Sequence, residues 1–249
     1  MANNSIAGPQ VRITQFDEGQ MNSAAFLSLP ADEVHLWLIC IQAFAARSKE
    51  LGELLDEAET DRMQRFRFPG DRLRFVVTHG LLRLCIGRYL ALSPRLVAFR
   101  SGCNGKPELP GYCGEAELSF NISHSHNLAV LGFTKFRSLG VDVEHIRSMP
   151  DFYEIVSHYF HPRERAALQS LSPGERHKAF FACWTCKEAF VKATGEGLSR
   201  PLDSFFIAPV RGNEKGILTP GGDGIKPARW KIMPFKPARD YAGAVAFAV

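Results

Sequence analysis

Two carboxylates alternate with valines in the segment Gly140-Val141-Asp142-Val143-Glu144. This alternation is typical of a β-strand, in which every second side chain lies on the same face. Asp142 and Glu144 would share one face, while Val141 and Val143 enter the core. Aligned carboxylates repel each other unless a cation lies between them, and Mg²⁺ prefers carboxylate, phosphate and water oxygens. A solvated acidic strand face would give the same pattern, so both interpretations stay open.

A second group of ionisable residues lies on a helix that is predicted to run from Pro173 to Thr194. Glu188 and Lys192 are four residues apart and therefore lie along one stripe of this helix. They could simply form a surface ion pair, worth roughly 0.2–0.5 kcal/mol. Alternatively, Glu188 completes a three-carboxylate metal site while Lys187 and Lys192 bind phosphate. The second interpretation also accounts for the acidic strand.

Three further segments carry side chains that suit phosphate. Ser123 and His124 lie at the end of a predicted strand, where the histidine could donate to a phosphate oxygen or merely occupy a turn. Lys106 and Pro107 combine a cation with a tight turn, as an ordinary surface loop also can. Between Arg62 and Arg74, five arginines are interleaved with aromatic residues. Arginine forks match phosphate, although single-stranded nucleic acid or a solvated helix face would explain them too.

The elements that must position these residues are strands and helices mixed along the whole chain. After an irregular arm or meandering first strand over 1–30, strands are predicted near 34–41, 117–122, 128–134, 139–145, 204–210, 228–234 and 241–249. Helices are predicted over 48–68, from an N-cap at Asp71 to Leu90, over 151–171 with a break at Pro162, and over 173–194. This mixture favours an α+β fold. A boundary near Arg137–Leu139 would separate an N-terminal unit, 1–138, from a C-terminal unit, 139–249.

The composition of the chain favours some classes of protein over others. The chain has 249 residues, of which 45% are hydrophobic and 22% charged, as in ordinary globular proteins. Its net charge of +4 suits an anionic partner without requiring nucleic acid. There is no apolar run of the roughly 18–20 residues that span a membrane, and the first residues lack a signal-peptide layout. Cys183 and Cys186 fall within a helical pattern, which favours core packing over zinc or redox chemistry. We expect a cytoplasmic protein.

Three ordered blocks resemble the Sfp-type family of 4′-phosphopantetheinyl transferases. They are Asn121–Ser125, Gly140–Glu144, and Trp184–Lys192 followed by Gly195–Leu198. The resemblance extends from about residue 60 to 206. It implies two similar α+β lobes related by pseudo-two-fold symmetry, with the active site in the cleft between them.

The resemblance also implies a reaction. Such an enzyme transfers the 4′-phosphopantetheine arm of coenzyme A to a serine of an acyl or peptidyl carrier protein and releases adenosine 3′,5′-bisphosphate. This is the activity of the holo-[acyl-carrier-protein] synthase type. The N-terminal lobe would bind the adenosine phosphates, and the C-terminal lobe would carry the metal and the catalytic helix. The carrier would be acidic and helical, and the enzyme a monomer.

The family roles fall on particular residues of this sequence. Asp142, Glu144 and Glu188 would bind Mg²⁺, or Mn²⁺ in its place. Glu188 is also the candidate general base, and Lys192 would stabilise charge on the phosphoryl group. The residues implied in coenzyme A binding are Arg67, Arg74, Lys106, Pro107, Ser123, His124, Lys187 and Lys192.

Other classes of protein explain less of the sequence. A nucleic-acid-binding module would use the arginines at 62–74 but would leave the acidic residues unexplained. A Mg²⁺-dependent phosphohydrolase would use the carboxylates and lysines and would cleave coenzyme A without an acceptor protein. A carrier-binding protein without catalysis would have no need of Asp142, Glu144 and Glu188.

Overall fold

The computed structural model describes residues 9–102, 107–110, 118–135, 138–209, 218–222 and 224–249. The strands in these ranges are β1 (Gln10–Gln15), β2 (Glu33–Cys40), β3 (Arg100–Ser101), β4 (Pro107–Glu108), β5 (Leu118–Ser125), β6 (Leu128–Lys135), β7 (Leu139–His145), β8 (Phe205–Pro209), β9 (Leu218–Gly222), β10 (Trp230–Phe235) and β11 (Tyr241–Ala248). The α-helices are α1 (Glu18–Asn22), α2 (Ser48–Gly52), α3 (Glu57–Gln64), α4 (Pro69–Leu90), α5 (Phe152–Tyr159), α6 (Pro162–Gln169) and α7 (Pro173–Thr194).

Two sheets organise the chain. The first has the strand order β1-β2-β6-β5, with β1 parallel to β2 and the other pairs antiparallel. The second has the order β7-β11-β10-β9-β8 and is antiparallel throughout. Strands β3 and β4 form a separate short pair. Strands and helices occur in both halves of the chain, so the α+β prediction is confirmed.

The alternation of side chains along β2 shows how the layers stack. Trp37 and Ile39 join the buried cluster that contains Leu81 of α4, while Leu36 and Leu38 point the opposite way. Those two leucines share a second cluster with valines of β7 and β11. Because β2 is buried on both faces, it reads in sequence as a continuous apolar run. The first sheet therefore lies between α4 and the second sheet.

Helix α7 covers the other face of the second sheet. Ala189 and Ala193 of α7 share a buried cluster with Ala244 and Ala246 of β11, and small side chains let helix and strand approach closely. The order of layers is α4, first sheet, second sheet, α7. None of the described helices is both long and apolar enough to cross a membrane.

The C-terminal ends of the long helices agree with the sequence prediction, but the first residues of some helices differ from it. Helix α7 ends at Thr194, and Gly195 adopts φ 74°, a left-handed conformation that suits glycine. The single helix predicted over 48–68 is wrong, because Asp56 caps a new helix, α3, after a turn. The N-cap prediction for Asp71 is also wrong. Helix α4 begins at Pro69, and Asp71 lies in its first turn, paired with Arg74.

Two other differences concern elements that have weak patterns. Residues 10–15 and 18–22 form β1 and α1 where an irregular arm or a meandering strand was expected. Strand β9 was not predicted, because its sequence, Leu218–Gly222, contains a proline and two glycines. The core prediction for Cys186 is confirmed, and its burial raises the pKa of the thiol to about 12.

Candidate active site

Strand β5 of the first sheet meets the free edge of β7 through its side chains. Asn121 Oδ1 accepts a hydrogen bond from the Val141 amide at 2.7 Å. Ser123 Oγ and Ser125 Oγ do the same for the amides of Val143 and His145, at 3.3 and 3.1 Å. Every second residue from Asn121 to Ser125 thus satisfies an amide that the edge strand β7 would otherwise leave unpaired. This junction places polar side chains of the first sheet beside the acidic strand.

The carboxylates of β7 bind the hydroxyls of the same two serines. Ser123 Oγ donates to Asp142 Oδ1 at 2.9 Å, and Ser125 Oγ donates to Glu144 Oε2 at 2.8 Å. Val141 and Val143 are buried on the opposite face, as the strand alternation predicts. The acidic face of β7 is therefore turned towards α7 and is only partly open to solvent.

Glu188 of α7 faces this acidic pair. Burial raises the pKa of Glu188, and the negative charges of Asp142 and Glu144 raise it further, against the opposing charge of Lys192. Burial likewise raises the pKa of Glu144, with Asp142 adding to the rise. The interactions show that the three carboxylates share one electrostatic environment, in which protonation or a cation would relieve their repulsion.

Lys192 lies one helical turn after Glu188 and points at the same strand. Its Nζ is 2.7 Å from Asp142 Oδ1 and also donates to Ser123 Oγ and the Val141 carbonyl, at 3.2 and 3.3 Å. The side chain stays 30% exposed, so the ammonium borders both the buried carboxylate and the solvent. An anion entering from the solvent would meet this charge.

The donor chemistry of the site fits a divalent cation. Asp142 Oδ2 is buried and has no hydrogen-bond partner among the residues that the structure describes. Within the same ranges, no three His, Cys, Asp or Glu side chains are already gathered tightly enough to hold a metal unaided. Mg²⁺ commonly takes only one or two protein carboxylates and completes its shell with water and substrate phosphate. An open set of oxygen donors with one unpaired oxygen suits such an ion.

His124 and Arg74 lie together at the end of β5. Although His124 is exposed to solvent, the protein packed around it and the charge of Arg74 lower the pKa of its imidazole to about 4. Arg74 Nε donates to the His126 carbonyl at 2.9 Å, which anchors α4 to this strand end. The structure therefore brings the predicted phosphate-binding pair together beside the site.

The other residues predicted to bind coenzyme A are less closely tied to this cluster. Arg67 is exposed, with its guanidinium 5.5 Å from the centroid of the Phe68 ring. Pro107 is partly buried in β4, where it pairs with Ser101. Lys106 lies outside the described residues. Roles for these positions stay predictions.

Lys187 does not lie where a phosphate ligand must. Its side chain is fully buried, and Nζ donates to Glu164 Oε2 at 2.7 Å and to the Phe205 carbonyl at 2.6 Å. Burial lowers the pKa of Lys187, while Glu164 opposes that shift. The predicted phosphate contact of Lys187 is corrected to a structural ion pair that joins α6, α7 and β8. Adjacent helix residues point about 100° apart, which explains why the side chains of Lys187 and Glu188 face different parts of the protein.

Sequence reasoning missed the roles of three residues at this site. The sequence motifs include Asn121, Ser125 and Gly140 but indicate no function for any of them. The alternation of polar side chains in Asn121-Ile122-Ser123-His124-Ser125 was the available signal, since it repeats at the spacing of a strand face. A side chain at position 140 would meet the backbone of α7, so glycine permits the close contact of strand and helix.

Comparisons with known proteins identify the family of this chain. The model of the 4′-phosphopantetheinyl transferase superfamily matches residues 138–246, and that of the N-terminal part of a 4′-phosphopantetheinyl transferase matches residues 43–135. The chain is 37% identical to 4′-phosphopantetheinyl transferase HetI of Nostoc sp. over 228 residues, 89% of this chain and 90% of that protein. It is 31% identical to 4′-phosphopantetheinyl transferase Sfp of Bacillus subtilis over 186 residues, 75% and 80% of the two chains. This chain therefore belongs to the Sfp-type family of 4′-phosphopantetheinyl transferases.

Proposed function

We propose that this protein transfers the 4′-phosphopantetheine arm of coenzyme A to a serine hydroxyl of an acyl or peptidyl carrier protein. The observation that carries the proposal is the convergence of Asp142, Glu188 and Lys192, which combines a buried, unpaired carboxylate oxygen with an ammonium. Transfer of a phosphate-linked group from a phosphoanhydride to a hydroxyl needs positive charge near the phosphates and a base near the incoming hydroxyl. This cluster supplies candidates for both.

Coenzyme A would bind with its phosphates towards the end of β5. Arg74 and His124 would bind the phosphates of the adenosine portion, with Ser123 beside them. Arg67, Lys106 and Pro107 would extend this subsite. His124 is neutral at pH 7 in the free protein and can donate one N–H to a phosphate oxygen. Bound phosphate would favour the protonated ring, which strengthens the contact.

Proton transfer would be the task of Glu188. The serine oxygen of the carrier attacks the phosphorus next to the pantetheine arm, the phosphoanhydride bond breaks, and adenosine 3′,5′-bisphosphate leaves. The serine proton passes to Glu188, directly or through a water molecule. The raised pKa of Glu188 makes this carboxylate a better proton acceptor than an ordinary glutamate.

Charge on the phosphates would be neutralised from two sides. Asp142, Glu144 and Glu188 would hold Mg²⁺, or Mn²⁺, which when bound supplies positive charge to the pyrophosphate oxygens. Lys192 is partly exposed and would bind the phosphoryl oxygens as negative charge moves to the leaving group. Coordination would reduce the basicity of Glu188, so its roles as ligand and base compete.

Charge supports the proposed partner, and the family matches support the proposed boundary between the lobes. The net charge of +4 suits an acidic, helical carrier protein, because opposite charges speed encounter. The boundary at 138/139 stays a prediction. It is supported by the separate matches of two family models to residues 43–135 and 138–246. A monomer in the cytoplasm stays our expectation.

Intact-mass spectrometry of an apo carrier protein tests the proposal. The carrier is incubated with this protein, coenzyme A and Mg²⁺, with and without EDTA. A gain of about 340 Da, the mass of the phosphopantetheine arm, that disappears with EDTA would support a metal-dependent transferase. Cleavage of coenzyme A without carrier modification would contradict the proposal and favour a phosphohydrolase. An acyl carrier and a peptidyl carrier should be compared directly.

A further inference from the structure

The free edge of β7 presents the amides of Val141, Val143 and His145 towards β5. The partner of β7 within its own sheet is β11, on its other edge. All three amides are bound by side chains of β5. At this edge, the contact between the two sheets is thus a ladder of side-chain hydrogen bonds that repeats every second residue.

Two rungs of this ladder differ chemically from the third. At the Ser123 and Ser125 rungs, the hydroxyl that accepts from a β7 amide also donates to the carboxylate of the preceding residue. At the Asn121 rung, the preceding residue of β7 is Gly140, which has no side chain to bind. Asn121 therefore joins the two sheets as the serines do, but its part of the ladder includes no carboxylate.

A serine hydroxyl that forms hydrogen bonds with two groups holds both of them in position. It has one hydrogen and two lone pairs, so the amide of His145 occupies a lone pair of Ser125 and the hydrogen is left for Glu144 Oε2. The bond holds one carboxylate oxygen on the β5 side and leaves Oε1 for other partners. Arg147 forms a longer ion pair with the same oxygen, with its Nη1 3.7 Å from Oε2, and its side chain is 57% exposed. Of these two partners of Glu144, Ser125 is therefore closer and less mobile than Arg147.

We infer that Ser125 is a positioning residue for Glu144, which acts through that carboxylate and does not touch coenzyme A or the reacting atoms. The inference rests on the proposed function, because it concerns how Glu144 meets a divalent cation. Partners that orient a ligating carboxylate change metal affinity by about 10- to 100-fold when removed. Ser125 belongs to this class of residue.

Three variants test the inference. Ser125→Ala removes both hydrogen bonds of the hydroxyl. Ser125→Thr retains a hydroxyl on a β-branched side chain, which strands accommodate. Asn121→Ala removes one rung of the ladder and leaves the carboxylates untouched, so it is the control for a loss of sheet contact alone.

Two measurements separate positioning from general stability. Mn²⁺ affinity is measured by electron paramagnetic resonance in the presence of coenzyme A, and the Mg²⁺ concentration for half-maximal transfer is measured beside kcat. We expect Ser125→Ala to bind Mn²⁺ roughly 10- to 100-fold more weakly, with Ser125→Thr close to wild type. Asn121→Ala should unfold at a lower temperature and keep its Mn²⁺ affinity.

The outcomes distinguish this inference from the proposed function. Wild-type Mn²⁺ affinity in Ser125→Ala would overturn the positioning role while leaving the transferase proposal intact. Equal weakening in Asn121→Ala and Ser125→Ala would also overturn it, since the effect would then come from the sheet contact. Absence of metal-dependent transfer in the wild-type protein would overturn both.

Discussion

Arg83 and Lys187 occupy corresponding positions in the two long helices. Each is fully buried, and each lies fourteen residues after the proline that begins its 22-residue helix. Arg83 Nε donates to Glu59 Oε2 at 2.6 Å, and Lys187 Nζ donates to Glu164 Oε2 at 2.7 Å. Both glutamates also complete the capping box of the short helix that precedes the long one. The repeat of this arrangement is an internal correspondence of the kind that pseudo-two-fold symmetry between the lobes requires.

The first prediction concerns the stability contributed by this buried cation. Lys187→Ala should lower the free energy of unfolding by about 3–5 kcal/mol, because it leaves Glu164 buried without its cation. Urea unfolding measures this loss, and Lys178→Ala, on an exposed position of the same helix, is the control. Unchanged stability together with a raised KM for coenzyme A would show that Lys187 binds phosphate after all.

The second prediction concerns the contact between β7 and α7. A Cβ atom on Gly140 would overlap the backbone of Ala189 and Ala193, and neither strand nor helix can yield without separating Asp142 from Glu188. Gly140→Ala should therefore destabilise the protein by about 1–3 kcal/mol or more and greatly reduce transfer. Gly174→Ala, in the first turn of α7 with open space around it, should leave both unchanged.

Thermal unfolding and initial rates check this pair of variants. Stability and transfer rates in Gly140→Ala equal to those of Gly174→Ala would contradict the close contact between β7 and α7. A loss of activity in Gly140→Ala at temperatures where it remains folded would show that the contact sets the geometry of the site as well as its stability.

The third prediction concerns the titration of His124. NMR of the free protein should show a pKa near 4 for this imidazole, with His124→Gln identifying its signal. Arg74→Gln should raise that pKa, because it removes a neighbouring positive charge, although the protein packed around the ring will keep it below 6.5. The folded pKa is lower than the unfolded value of 6.5, so this residue's contribution to stability is present above pH 6.5. It is lost as the pH falls towards 4. A pKa near 6.5 in the wild type would contradict the described environment.

The candidate site carboxylates could be predicted from sequence because their spacing has a direct geometric meaning. Asp142 and Glu144 share a strand face, and Glu188 with Lys192 shares a helix stripe, so local periodicity determines each pair. The role of Lys187 could not be predicted in this way. Its partner, Glu164, comes from another helix, and only the packed fold shows which side of α7 is buried.

The fold was predictable to a similar extent. Strand β2 and helix α7 have long, consistent patterns, and both lie close to where the sequence places them. Helix α3 begins separately because Asp56 accepts from the Glu59 amide, a capping bond that competes with continuing the preceding helix. The side-chain ladder between β5 and β7 depends on a contact between residues about 20 positions apart, which periodicity alone does not reveal.

The last prediction separates the chemical role of Glu188 from its structural cost. Burial and the neighbouring carboxylates disfavour its charged form, so Glu188 destabilises the folded state above its unfolded pKa of 4.5. Glu188→Gln removes that charge and should unfold, without metal at pH 8, at the same or a higher temperature than wild type. Transfer should nevertheless fall by more than about 100-fold, because a carboxamide is neither a base nor a charged metal ligand.

Intact-mass assays of carrier modification measure the rate of Glu188→Gln, and calorimetry measures its stability. Glu175→Gln, on the exposed first turn of α7, removes a carboxylate from the same helix and should match the transfer rate of wild type, with a stability loss of at most about 1 kcal/mol. A lower unfolding temperature in Glu188→Gln would mean that the repulsion described here is absent. A wild-type rate would remove the base and ligand roles together, since neither survives the loss of the carboxylate.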